Sequence, residues 1–236
     1  MTDAPDTATE AEILPPYARE ALDVVASARS DADAGLTGAE AGERLARLGP
    51  NQITGEPPPS VWEVAVAQLR DPMNIMLVAV TIVSVAIGQV STGIIVALLI
   101  LLNVVLGSRQ ELKARASIDA LASMQVPQAR VVRDGSVALV PAVDVVPGDI
   151  VQLEAGDIVP ADGRILHSAT LETQEAALTG ESAPIGKSSM TLPEAEVALG
   201  DRSNMLFQNT AVTRGAGAMV VTATGMQTEM GQIATM

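Results

Sequence analysis

The residues able to do chemistry cluster in one short polar run, Leu178-Thr179-Gly180-Glu181-Ser182-Ala183-Pro184. Glu181, once ionised, only accepts hydrogen bonds, so it can orient a water molecule and take its proton. Gly180 permits a tight turn. The hydroxyls of Thr179 and Ser182 can hold the loop or the water. The catalytic candidates are therefore Glu181, Thr179, Gly180 and Ser182. Nothing else in the chain offers that water an electrophile, so the sequence reads as one working part of a larger machine.

Composition removes several other chemistries. The formal net charge is -14, whereas a phosphate backbone requires a basic face; nucleic acid is not an expected partner. Tyr17, Trp62 and Phe207 are the only aromatic rings, too few for base stacking or an aromatic cage. Without cysteine there are no disulfides and no Cys-x-x-Cys metal sites. The single histidine, His167, cannot form a cluster and reads as an ordinary strand residue. Asp149, Asp157 and Asp162 each follow or precede glycine in turn-like runs, so turn chemistry accounts for them and no metal site is expected. The N-terminus has acidic residues and no basic start, unlike a secretory signal. Residues 1–16 read as a disordered acidic tail.

The elements around the loop follow from periodicity. Residues 17–60 form an N-terminal cytoplasmic helical segment. Within it, Ala18, Leu22 and Val25 predict a helix over 18–28. Thr37 and Glu40 form a capping-box pattern opening a second helix, with Ala41, Leu45 and Leu48 on one face and Gly49-Pro50 as its stop. Residues 51–60, with Pro57-Pro58-Pro59, predict a stiff connector.

Residues 62–69 are amphipathic, and residues 72–108 then carry no Asp, Glu, Lys or Arg. That run is close to two bilayer spans at about 20 residues each, and mean hydropathy is +0.31 for the whole chain. Gly88-Gln89-Val90-Ser91 interrupts it, so residues 61–107 predict a transmembrane helical hairpin with helices near 73–87 and 92–107. Arg70, Arg109, Lys113 and Arg115 flank its outer ends, which places both termini in the cytoplasm of a multi-pass cell-membrane protein. The lipid membrane is thus an expected partner. Asn74, Thr81, Ser84, Gln89 and Asn103 are expected to make interhelical hydrogen bonds. Residues 108–125 continue as a stalk helix with Ala114, Ile118, Leu121 and Met124 on one face and a Glu111–Arg115 pair on its surface.

Residues 126–225 read as an all-β domain. A hairpin is predicted around Asp134-Gly135. Further strands are expected at 150–153, 164–167, 170–173, 206–212 and 218–224, and residues 226–236 begin a helix. The fold class expected is a multidomain α+β membrane protein.

These motifs together resemble the N-terminal part of the P-type cation-transporting ATPases. Gly35-Leu36-Thr37, Glu40-Ala41, Arg44-Leu45 and Leu48-Gly49-Pro50-Asn51 are similar to that family's N-terminal cytoplasmic segment. Asp71-Pro72-Met73-Asn74 resembles the entry to its first membrane helix, and Asn103-Val104-Val105-Leu106-Gly107 with Gln110-Glu111 resembles the exit from the second. Val146-Pro147-Gly148-Asp149-Ile150-Val151 and Gly156-Asp157-Ile158-Val159-Pro160-Ala161-Asp162-Gly163 look like its actuator domain, as does the T-G-E-S loop at 179–182. Thr224-Gly225, Thr228-Glu229 and Gly231-Gln232-Ile233-Ala234 resemble that domain's end. A T-G-E-S string alone is an unspecific polar turn; the ordered series carries the assignment. Two departures stand out: Gln174-Glu175-Ala176-Ala177 replaces an Asp-Glu-Ser-like run, and Gln232 stands where lysine is common.

The resemblance implies a distorted jelly-roll-like β domain that swings its loop onto an aspartyl phosphate formed from ATP on another domain. ATP and Mg2+ would serve the complete enzyme, and neither is expected to bind this chain. The implied partners are the phosphorylation and nucleotide-binding domains, later membrane helices and a transported cation. The D-K-T-G phosphorylation motif does not occur in these 236 residues, so no ATP hydrolysis is expected from them alone. Overall likeness, with the absence of cysteine, favours a calcium-type pump over a heavy-metal one. The alternatives are a non-enzymatic membrane module that docks on or regulates an intact pump, or an inert remnant of a truncated gene.

Overall fold

The structure is a computed structural model that describes residues 14–53, 59–123, 127–180, 182–193 and 196–235, with the side chains of 118–123 excepted. It divides into two compact units, residues 56–126 and the remainder. Residues 1–13 of the expected acidic tail, the triple proline apart from Pro59, and the Ile118, Leu121 and Met124 side chains lie outside the described residues, while Pro16, expected in the tail, already opens a 3-10 turn.

The N-terminal segment belongs to the second of these units. The helix expected over 18–28 is split into a 3-10 turn over Pro16–Ala18 and α1, Ala21–Ser27. Leu22 faces solvent, while Val24 and Val25 are buried against Val132, Ile150 and Val220. The docking face is thus a pair of adjacent valines, not the expected stripe. Helix α2, Gly38–Leu48, begins where predicted, with the Glu40 amide donating to Thr37 Oγ1 at 3.2 Å. Gly49, at φ 83°, closes it by donating to the Leu45 carbonyl. Arg44 Nη1 donates to the carbonyls of Ala28 and Pro147 at 2.8 and 2.7 Å, which fastens both helices to the connection that leads into the strand starting at Ile150.

In residues 56–126, α3 (Val61–Leu69) has a full capping box from Ser60 and Glu63. Helix α4, Pro72–Ala86, starts with Asp71 as its cap and proline in its first turn. Helix α5 runs unbroken over Val90–Ser123, so the predicted second apolar helix and the predicted stalk are one element. Gly107 lies inside it and Gln68 of α3 packs on its bare face; a Cβ there would lie 2.6 Å from Gln68 Oε1. The Val90–Ser117 stretch is long and apolar enough to cross a membrane, whereas α4 meets that length only together with α3, from which it bends by 68°. The polar side chains here bond locally. Asn74 Nδ2 donates to the Gln68 carbonyl at 2.8 Å, and Thr81 Oγ1 donates to Leu77 within its own helix. For Thr81 this replaces the expected bond between helices: a threonine hydroxyl reaches the carbonyl one turn back without any partner helix. Arg115 and Glu111 pair at 2.8 Å, as their spacing predicts.

The β sheet comprises β1 (Gln128–Arg133), β2 (Ser136–Pro141), β3 (Ile150–Glu154), β4 (Asp162–Gln174), β5 (Ile185–Gly186), β6 (Met205–Leu206) and β7 (Ala211–Ala223). Its order is β2-β1-β3-β7-β4-β5, antiparallel throughout, with β6 also on β4. The Asp134-Gly135 turn has positive φ at both residues, the geometry that matches strand twist in a two-residue hairpin. The two strands expected at 164–167 and 170–173 are one strand, β4, bent by bulges against β7 and by a positive φ at Thr170. The strand expected over 206–212 is interrupted at Asn209, φ 65°, and the one expected at 218–224 is the far end of β7. Helix α6 (Ala176–Thr179) follows β4. At the end, a 3-10 turn and the short α7 (Glu229–Ile233), capped by Thr228, take the place of the single helix predicted from 226.

The core of this unit is formed by residues of β1, β3, β4, β6 and β7 and of the segment before β4. Val131, Val151, Val159, Ala161, Ile165, Leu206 and Met219 are all but fully buried in one cluster. Each large aliphatic side chain there contributes on the order of 1.5–3 kcal/mol.

Candidate functional site

The T-G-E-S run occupies the connection between β4 and β5. Thr173 pairs with Ile185, so the loop leaves and re-enters the sheet at adjacent positions. Its first half is a single helical turn hung on one carbonyl. The Leu178 amide, the Thr179 amide and Thr179 Oγ1 all donate to the Glu175 carbonyl, at 2.9, 3.0 and 3.2 Å. Leu178 packs on a small cluster formed by Tyr17, Met205 and Phe207.

Gly180 ends the turn in the left-handed conformation, φ 77°. Among the described residues, its two chain neighbours aside, no atom lies within 4 Å of where its Cβ would be, so the backbone angle calls for glycine. The same open face lets another group approach the main chain. Ser182 is exposed, and its carbonyl accepts from Gln174 Nε2 at 3.5 Å. Thr179, Gly180 and Ser182 are therefore brought together in one turn. The fourth candidate, Glu181, lies outside the described residues.

Beneath the turn is an ion pair that motif reading overlooked. Lys187 Nζ lies 2.5 Å from Glu175 Oε1, and neither side chain exposes any surface. Thr173 Oγ1 donates to the same carboxylate oxygen at 2.8 Å. The ammonium also sits 5.3 Å from the centre of the Phe207 ring. Burial lowers the Lys187 pKa, and the Glu175 charge works against that fall. One sequence signal was available: Glu175 and Lys187 lie six positions on either side of Glu181.

Arg164 is buried next to the returning segment. It donates to the carbonyls of Ile165, Ser189 and Arg19 at 2.7, 3.0 and 3.3 Å. Burial lowers its pKa. The turn aspartates also do more than form turns. Asp149, fully buried, accepts from the Val146 amide at 2.9 Å and pairs with Arg133 at 2.6 Å. Asp157 pairs with Arg130. Asp162 accepts from the Gln208 and Glu229 amides at 2.8 and 2.7 Å, yet burial still pushes its carboxyl up to about 6. Among the described residues there is no grouping of three acidic or histidine side chains fit to hold a metal ion.

A family model described as the P-type ATPase actuator domain matches residues 123–236, and one described as the N-terminus of cation transporters and ATPases matches residues 17–84. The chain is 42% identical over 200 residues to a calcium-transporting ATPase of Listeria monocytogenes, covering 85% of this chain and 23% of that protein. It is 39% identical over 223 residues to calcium-transporting ATPase 1 of Lactococcus lactis, covering 94% and 25%. A sodium/potassium exporting P-type ATPase of Schizosaccharomyces pombe is 34% identical over 222 residues, 93% of this chain and 21% of that protein. The chain thus spans about a quarter of the length of the curated relatives it matches.

Proposed function

The chain belongs to the P-type ATPases, whose N-terminal and actuator regions it carries, and from that premise we propose that it serves as the dephosphorylating arm of an ATP-driven cation pump. The observation that supports this most is the Gly180 turn, anchored on Glu175 and open on its outer face. An aspartyl phosphate on another domain would enter there. Glu181 would accept a proton from a water molecule while the water oxygen bonds to phosphorus. The phosphorus–oxygen bond to the aspartyl carboxylate breaks, and the carboxylate leaves with the bonding pair. Thr179 and Ser182 would hold the loop or the water. Because phosphoryl transfer depends mostly on placement and charge, a positioned carboxylate and an exposed main chain suffice for this half-reaction. ATP and Mg2+ would act on the phosphorylation and nucleotide-binding domains of the complete pump.

In the same reading, α4 and α5 form a transmembrane hairpin with both chain ends in the cytoplasm of the cell membrane. Exposed apolar side chains along both helices, including Ile82, Leu98 and Leu101, support it, as do the basic residues flanking the pair. The transported ion is a cation, with calcium favoured because the bacterial relatives named above are calcium-transporting pumps. A regulatory module without catalytic function has no such support among the relatives.

The test replaces the matching segment of the Listeria pump with this chain and follows decay of phosphoenzyme formed from ATP. Glu181→Gln is expected to slow decay by ~10²-fold or more, as loss of a general base commonly does. Decay at the unsubstituted rate would defeat the assignment.

A further inference from the structure

The T-G-E-S loop needs a fixed base, because a positional error of about 1 Å can cost on the order of 10²-fold in rate. The geometry points to the buried Glu175–Lys187 pair as the lock that sets this loop's position. Both are positioning residues, acting through Thr179 and Gly180. The inference rests on the dephosphorylation reading above.

Three observations converge on Glu175. Its carbonyl receives both Thr179 donors and the Leu178 amide, so the helical turn that starts the loop hangs on this residue. Its carboxylate is held from below by Lys187 Nζ at 2.5 Å and Thr173 Oγ1 at 2.8 Å. Its backbone at φ -115°, ψ 24° lies between strand and helix, so the residue is the corner at which β4 becomes the loop. A rotation at that corner would swing Thr179 and Gly180 together.

Lys187 is held as firmly on the opposite side. Its amide donates to the Leu171 carbonyl at 2.8 Å, and Phe207 lies against its ammonium. The ion pair therefore crosses the neck of the loop, from the start of its outgoing arm to the first residue after β5. A hydrophobic pair could fill the same space, and buried ion pairs are often no more stabilising than apolar replacements. The close charge pair and the Thr173 hydrogen bond meet on one carboxylate oxygen, however, and together fix the corner in one orientation. That separates the two roles: stability can be restored by removing both charges, whereas loop position cannot.

The test uses Lys187→Met, Lys187→Arg and the double variant Glu175→Gln with Lys187→Met. Each is made in the chimeric pump and in the 236-residue chain in detergent. The double variant is expected to recover most of the thermal stability lost in Lys187→Met. It should still form phosphoenzyme from ATP but lose it at least ~10-fold more slowly than the unsubstituted pump. Lys187→Arg, which keeps the charge, should decay faster than the double variant. In the chain alone, hydrogen exchange of the Leu178 and Thr179 amides should quicken at least ~10-fold in the double variant. If the double variant matches the unsubstituted protein in decay and in exchange at these amides, the lock is disproved. Glu181→Gln measured alongside keeps the two readings apart. Normal decay there removes the dephosphorylation role itself, while slow decay there with normal decay in the double variant removes only the lock.

Discussion

Asn51 Oδ1 accepts a hydrogen bond from the Gly225 amide at 2.8 Å, joining the end of the N-terminal segment to the turn before α7. The same side chain donates to the carbonyls of Ala142 and Pro160 at 2.9 and 2.8 Å and accepts from Gln208 Nε2 at 3.1 Å. Gln208 in turn accepts from Thr228 Oγ1 at 2.8 Å, and Thr228 caps α7. All three polar side chains are buried. The points where the chain enters and leaves the β unit thus share one hydrogen-bonded knot.

Asn51→Ala should therefore destabilise the full chain by about 2–4 kcal/mol, since buried amides left unpaired cost about 1–3 kcal/mol each. Urea unfolding in detergent, followed by far-UV circular dichroism, checks this. A loss below about 0.5 kcal/mol, typical of surface changes, would show that the knot is not a stabilising feature.

Asp162 predicts a pH dependence of definite sign. Its folded carboxyl titrates near 6 instead of the ordinary 3.8, so the folded chain holds this proton more tightly than the unfolded one. The contribution is therefore most favourable below pH 4, declines as pH rises toward 6 and is flat above that. Stability of the unsubstituted chain relative to Asp162→Asn should fall by up to about 3 kcal/mol across that window. Urea titrations of both proteins from pH 4 to pH 7 give the difference directly; a rise instead of a fall would contradict the burial argument.

Gly180→Ala separates the loop from the fold. The substitution meets no atom but imposes a left-handed angle on alanine, at roughly 1–2 kcal/mol. Unfolding free energy should fall by no more than that amount, while phosphoenzyme decay in the chimeric pump should slow by at least ~10-fold. Equal decay rates would mean that the turn's conformation is immaterial to the reaction.

Gly35→Ala should behave in the opposite way. Its Cβ would lie 1.8 Å from the Val132 carbonyl oxygen, at φ 68°. Neither backbone can yield without breaking the Leu36–Arg133 bridge. A loss of more than about 3 kcal/mol is expected, measured as a lowered melting temperature of the full chain.

Particular residues show where sequence reading reached and where it stopped. Thr37, Gly49 and Asp134-Gly135 were legible because caps and tight turns are decided within a few residues. The 72–108 run, its break near Gly88 and its continuation into the stalk were legible, because charge-free stretches and glycine signals are local. The packing of Gln68 on Gly107 was not, since it depends on a residue distant in sequence. The continuity of the bent β4 strand was not legible, because only pairing with β7 shows that the chain continues through the bulges.

The candidate site divides along the same line. Residue type and order alone led to the proposal that Thr179, Gly180, Glu181 and Ser182 orient a water molecule, since hydroxyl, glycine and carboxylate chemistry is local. Only the tertiary structure decided what holds the turn. Glu175, Lys187, Thr173 and Phe207 come together because β4, β5 and the 207 segment are packed side by side. A lysine and a glutamate twelve positions apart look like two solvated charges in a sequence. Burial makes them partners, because neither charge could be removed from water without the other.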